Sequence, residues 1–92
     1  MYATFRWYAN SELADRLAAR ADDIRAAISP VAGFRAYYLV RTDGGTVSVT
    51  IADDQAGTDE SNAVAAGWIR ENMPDVAASP PSISGGEVVI SA

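Results

Sequence analysis

The chain has 92 residues, with twelve acidic against seven basic side chains and a net charge of −5. Cysteine, histidine and lysine are all absent, so every basic residue is an arginine. This composition excludes a disulfide framework, a thiolate or imidazole metal site, a Cys–His nucleophile pair and a lysine Schiff base, and the acidic balance speaks against nucleic acid as a partner.

The length implies one domain over residues 1–92, burying ~60–65% of its extended-chain surface. No basic start followed by an apolar run is visible, and no apolar run approaches transmembrane length. The expectation is therefore a soluble cytoplasmic protein with no membrane partner.

Tyr2 to Tyr8 alternate as a strand, with Ala3, Phe5 and Trp7 on one face and Tyr2, Thr4, Arg6 and Tyr8 on the other. Asn10-Ser11 signals a helix start. Leu13, Leu17, Ala21, Ile24 and Ile28 then fall on one stripe, predicting a single helix over 11–28. Ser29-Pro30 and Gly33 end it. A second strand over 34–41 puts Phe34, Ala36, Tyr38 and Val40 on one face. Asp43-Gly44-Gly45 is a hairpin turn, and a third strand over 46–52 sets Val47, Val49 and Ile51 against Thr46, Ser48 and Thr50.

A second helix starts at Asp53-Asp54 or Thr58 and runs to about Asn72, with Ser61, Val64, Ala65, Trp68 and Ile69 inward and Met73-Pro74 at its end. Asp53, Asp54, Asp59 and Glu60 suit a helix N-terminus, where they complement the macrodipole. A Pro/Ser/Gly-rich connection over 79–86, with Gly85-Gly86 as a turn, leads to a last strand over 87–91.

The order β-α-β-β-α-β is the ferredoxin-like arrangement, an α+β fold with two helices on one face of a four-stranded antiparallel sheet. The apolar strand face is expected beneath the helices, burying Phe5, Trp7, Phe34, Tyr38, Val49, Ile51 and Ile90 with Leu17, Ile24 and Trp68. The opposite face, with Tyr2, Arg6, Tyr37, Leu39 and Val89, is then left open. It is more apolar than water requires, which predicts a homodimer packed sheet on sheet.

Several segments carry a family resemblance: Pro-Val-Ala-Gly-Phe-Arg-Ala-Tyr-Tyr at 30–38, Gly-Gly-Thr-Val-Ser-Val-Thr-Ile at 44–51, Asp-Asp-Gln-Ala-Gly-Thr-Asp-Glu-Ser-Asn at 53–62 and Gly-Trp-Ile-Arg-Glu-Asn-Met at 67–73. The chain resembles the antibiotic-biosynthesis-monooxygenase-like group of dimeric α+β barrels, especially its small uncharacterised actinobacterial members. The resemblance implies that fold, a dimer, and a pocket between sheet and helices. In the family's oxygenases, which use neither metal nor flavin, an Asn on the third strand and a Trp at its end position a polycyclic phenol and dioxygen. Those positions are Ser48 and Ala52 here. The haem-degrading relatives need an Asn on the first strand, where Arg6 and Trp7 stand, and a helix histidine, which this chain lacks.

The residues left to form a ligand site are Trp7, Tyr38, Asn62 and Trp68, expected to converge between sheet and helices around a small apolar or aromatic molecule, with no metal and no cofactor. Ser48, on the alternate face, is expected to look away from it. The function expected is that of a small dimeric binding protein. A cofactor-independent monooxygenase or isomerase acting on a phenolic or polyketide-like substrate is a second possibility, and a protein-interaction module a third.

Overall fold

The computed structural model describes all 92 residues. Strand β1 (Tyr2–Tyr8) is followed by helices α1 (Leu13–Ala18) and α2 (Ala21–Ile28), then by the hairpin of β2 (Phe34–Thr42) and β3 (Gly45–Ala52). Helix α3 (Gln55–Asn72), the short helix α4 (Pro74–Ala77) and strand β4 (Ser82–Glu87) complete the chain. The strands form one antiparallel sheet in the order β2-β3-β1-β4. This is the ferredoxin-like α+β fold, and no helix is long and apolar enough to cross a membrane.

Local chemistry sets most boundaries. Asn10 Oδ1 accepts from the amides of Glu12 and Leu13, holding the turn into α1. The Asp54 side chain caps α3 by accepting from Gly57 N at 2.9 Å. Gly44, at φ +76°, makes the β2–β3 turn, where a side chain would be strained. The expected helix over 11–28 is two helices: the chain leaves helical geometry at Arg20 (φ −116°, ψ 28°). Ala18, Ala19 and Ala21 favour helix, so tertiary packing makes this break. Arg20 bonds Asp23 in α2 and Asn72 in α3.

The last strand also differs from expectation. It covers 82–87 and includes Gly85 and Gly86, which pair with Thr4 and Ala3 of β1. A Cβ at Gly85 would stand 2.8 Å from the Ala3 carbonyl oxygen, so this close approach needs glycine. Val88 N still bonds Met1 O, but Val89 and Ile90 lie outside the sheet and are exposed.

The main correction concerns the two sheet faces. Alternation divides the strands as expected, except that a bulge between Phe34 and Ala36 moves Phe34 to the other face. The helices, however, cover the polar row: Thr4, Arg6, Thr46, Ser48 and Thr50 are all buried. The apolar row is the open one. Phe5 and Trp7 are each 41% exposed, Tyr38 57% and Val40 46%. Across this open face Tyr38, Val49 and Phe5 stand side by side, as do Val40, Val47 and Trp7. Of the expected core only Leu17 is buried, and the face carrying Tyr2, Arg6, Tyr37 and Leu39 is not available for sheet-on-sheet contact.

The buried cluster is Tyr8, Leu13, Leu17, Ile69, Met73 and Val76, with Ile24, Leu39 and Trp68 packed against it. It lies where α1, α3 and α4 meet the Tyr8 end of the sheet. Elsewhere α3 approaches the strands through small residues, among them Gly57, Thr58 and Ser61. The last two turn their hydroxyls back to the helix carbonyls of Gln55 and Thr58, so burying them leaves no donor unmet.

A Cβ at Gly57 would fall 2.8 Å from both Ala32 O and Ala52 Cβ. Gly57→Val should therefore destabilise the fold by about 1–3 kcal/mol through overpacking. Gly67, on the same helix, has nothing nearer than 3.8 Å, and Gly67→Ala should stabilise by about 0.5–1 kcal/mol. Urea unfolding midpoints of the two variants, moving in opposite directions, check this.

Candidate functional site

Strand β1 lies inside the sheet, flanked by β3 and β4, and its Arg6 points under α3 with 2% of its surface exposed. Nη1 donates to Asn62 Oδ1 at 2.7 Å and Nη2 to Ser48 Oγ at 2.5 Å. The buried Nε has no partner. Asn62 is held in turn by Thr4, whose Oγ1 accepts from Asn62 Nδ2 at 3.1 Å. Ser48 Oγ donates onward to the Tyr37 hydroxyl at 3.3 Å. A file of polar groups thus runs from α3 through the guanidinium to β3 and β2, and its last hydroxyl, on Tyr37, keeps its own proton to donate.

Tyr8 stands beside this file. Burial pushes its phenol above the ordinary value, against the charge of the Arg6 cation and a hydrogen bond from it; Tyr37 adds to the rise. The group beside the cation is therefore a neutral hydroxyl and not a tyrosinate counter-ion.

Arg6, Tyr8, Tyr37 and Ser48 line one side of a recess of ≈ 20 Å³, closed by Leu17, Ile24, Ile28, Trp68 and Ile69. The recess shares Leu17, Ile24, Ile28 and Tyr37 with a much larger groove of ≈ 800 Å³ between α1–α2 and β2. The groove is apolar along most of its length, with Arg25 and Arg41 as its only charged residues. It is an apolar bed beside a recess that holds a buried cation and two phenols.

The four residues expected to converge do not meet in one pocket. Trp68 lines the recess, its ring covered by the Arg20 guanidinium at 5.2 Å. Asn62 lies behind the recess and holds Arg6. Tyr38, on the opposite face of edge strand β2, borders the groove at its rim. Trp7 lies on the open sheet face, where its indole nitrogen would be 2.7 Å from a Cβ at Gly45. Ser48 looks into the recess and not away from it. Arg6 and Tyr37, expected at the dimer interface, face the helices instead, because the helices cover the polar row of the sheet. The available signal was Arg6 itself, since a central strand that carries arginine among Thr and Tyr needs buried hydrogen-bond partners. No group of acidic side chains is arranged to hold a metal ion.

No family model matches the chain, and no curated protein does. Solved structures do. NE2512, a protein of unknown function from Nitrosomonas europaea, matches with a TM-score of 0.74 at 18% identity, over 99% of this chain and 91% of that one. A dimeric ferredoxin-like protein from an uncultured marine organism matches with a TM-score of 0.60 at 13% identity, over 99% and 94%. SnoaB, a cofactor-independent oxygenase from Streptomyces nogalater, matches with a TM-score of 0.54 at 15% identity, over 99% and 91%. At these identities the likeness is one of fold.

The raised Tyr8 ionisation has a consequence for stability. Above the ordinary value of 10.0 the unfolded chain loses a proton that the folded chain keeps, so stability present at neutral pH falls as the pH rises past 10. Tyr8→Phe should flatten that alkaline limb, as measured by urea unfolding between pH 8 and pH 11.

Proposed function

We propose that this ferredoxin-like chain works as a homodimeric α+β barrel that binds a small apolar or aromatic molecule between its sheet and helices. The observation that carries the ligand reading is the apolar groove between α1–α2 and β2, which borders the recess lined by Trp68 and shares four of its residues. Natural binding sites have this make-up, a mostly apolar concavity with a few convergent polar groups. The dimer reading rests on the open face. Phe5, Trp7, Tyr38 and Val40 present large apolar side chains to solvent around Val47, Val49 and Ile51, more than an isolated sheet face needs. A second copy related by a two-fold axis would cover it, and a protein of similar fold is dimeric.

The ligand site is tested by fluorescence. A neutral aromatic such as 2-methoxynaphthalene should quench tryptophan emission in the wild type and in Trp7→Phe, and should lose that effect in Trp68→Phe. Absence of quenching in the wild type would remove the site. For the dimer, sedimentation should give twice the 9.7 kDa chain mass. Phe5→Asp, which sets a charge against its own copy in the contact, should shift the protein to monomer.

A second reading, oxygenation without a cofactor, draws support from the fold likeness to SnoaB and from the polar end of the recess. In such a reaction a substrate CH₂ group and O₂ become a carbonyl and water. The cation and the Tyr8 and Tyr37 hydroxyls would stabilise charge developing on the substrate oxygen. Oxygen uptake with an anthrone, matched mole for mole by quinone, distinguishes an enzyme from a binder.

A further inference from the structure

Five of the seven arginines form ion pairs with aspartates at the surface. Arg70 is exposed. Arg6 is the arginine that the fold buries, and no carboxylate meets it. Two of its donors go to an amide oxygen and a hydroxyl, the neutral Tyr8 phenol also draws on the guanidinium, and Nε is left without a partner. A guanidinium does not lose its proton to escape this position, so the charge remains, and an unpaired buried charge is costly.

No Asp or Glu lines the recess or the groove. Arg25 and Arg41 line the groove, but each is paired with an aspartate, Asp22 and Asp15, so Arg6 is the one charge there that no carboxylate meets. The Tyr8 and Tyr37 hydroxyls add protons to donate. α1, α2 and α3 contribute only apolar side chains to the recess.

We propose that the molecule bound in the groove is a hydrophobic monoanion, and that Arg6 holds its charged oxygen. This deepens the ligand reading above and rests on it. The recess, at ≈ 20 Å³, has room for about one water-sized atom. A single carboxylate or enolate oxygen enters end-on while the apolar body stays in the groove between α2 and β2. The ligand thereby supplies the counter-ion that the chain does not.

The test compares 1-naphthoate with its neutral isostere 1-naphthamide by calorimetry on the full-length protein. The wild type should bind naphthoate at least about tenfold more tightly, the scale of a hydrogen bond to a charged group. Arg6→Met should remove that preference and keep naphthamide binding. If Arg6→Met does not fold, Arg6→Gln carries the same comparison. A further arm titrates 2-naphthol between pH 7 and pH 10, below the alkaline loss of stability tied to Tyr8. Binding that tightens as the naphthol ionises assigns the site to phenolate or enolate oxygens as well as carboxylates. Tightening confined to naphthoate assigns it to carboxylates alone. Equal affinity for naphthoate and naphthamide in the wild type, or a preference that survives loss of the Arg6 charge, overturns the proposal and leaves the groove as a ligand site. If neither naphthalene probe nor 2-methoxynaphthalene binds, both readings fall together.

Discussion

A single cation under the helices organises this molecule. A guanidinium cannot be laid against leucine without a large desolvation cost, so the neighbours of Arg6 had to be chosen to hold it. β3 supplies Ser48 directly opposite, α3 supplies Asn62, and Thr4 keeps that amide turned the right way. Because side chains alternate along a strand, placing Arg6 inward places its β1 neighbours Phe5 and Trp7 outward. The polar interior and the apolar exterior of the sheet are the same decision.

The helices follow from that decision. A polar row of Thr and Ser gives α3 little to gain from a broad apolar stripe. It comes close instead, with Gly57 against Ala52 and with Thr58 and Ser61 bonding their own helix. The apolar packing is displaced to one end, around Leu13, Leu17, Ile69 and Met73. Between this cluster and the edge strand β2, the α1–α2 segment stands away from the sheet and leaves the groove.

The order and type of the elements were legible in the sequence, because alternation, turn glycines and helix caps act locally. Which strand face the helices would cover was not. The usual rule assigns the apolar row to the core, and here the row beneath the small-residue helix is the polar one, with Thr4, Arg6, Thr46 and Ser48 hydrogen-bonded there. The break at Arg20 was hidden among strong helix formers. The place of β4 was hidden because Gly85 and Gly86 resemble a turn, whereas they serve a close strand contact. Helix spacing alone points Asn62 and Trp68 inward, whichever sheet face lies beneath. Trp7 and Tyr38 go with the open face and Arg6, Ser48 and Tyr37 with the covered one, because strand residues turn over with the sheet.

The glycine pair in β4 also shapes how the molecule breathes. This edge strand brings no large apolar side chain to the layer beneath the helices; Ile83, its one candidate, is 55% exposed. It is preceded by Pro80 and Pro81, which lack amide donors. Its hold on the sheet is a ladder of backbone hydrogen bonds along one side of β1, with one more from Thr4 Oγ1 to Ser84 O, while the other side of β1 is bonded to β3. Peeling β4 away costs little apolar burial and leaves the Arg6–Ser48 contact closed. Amides bridging β1 and β4 should therefore exchange with solvent through a local opening, and those between β1 and β3 only through a larger one.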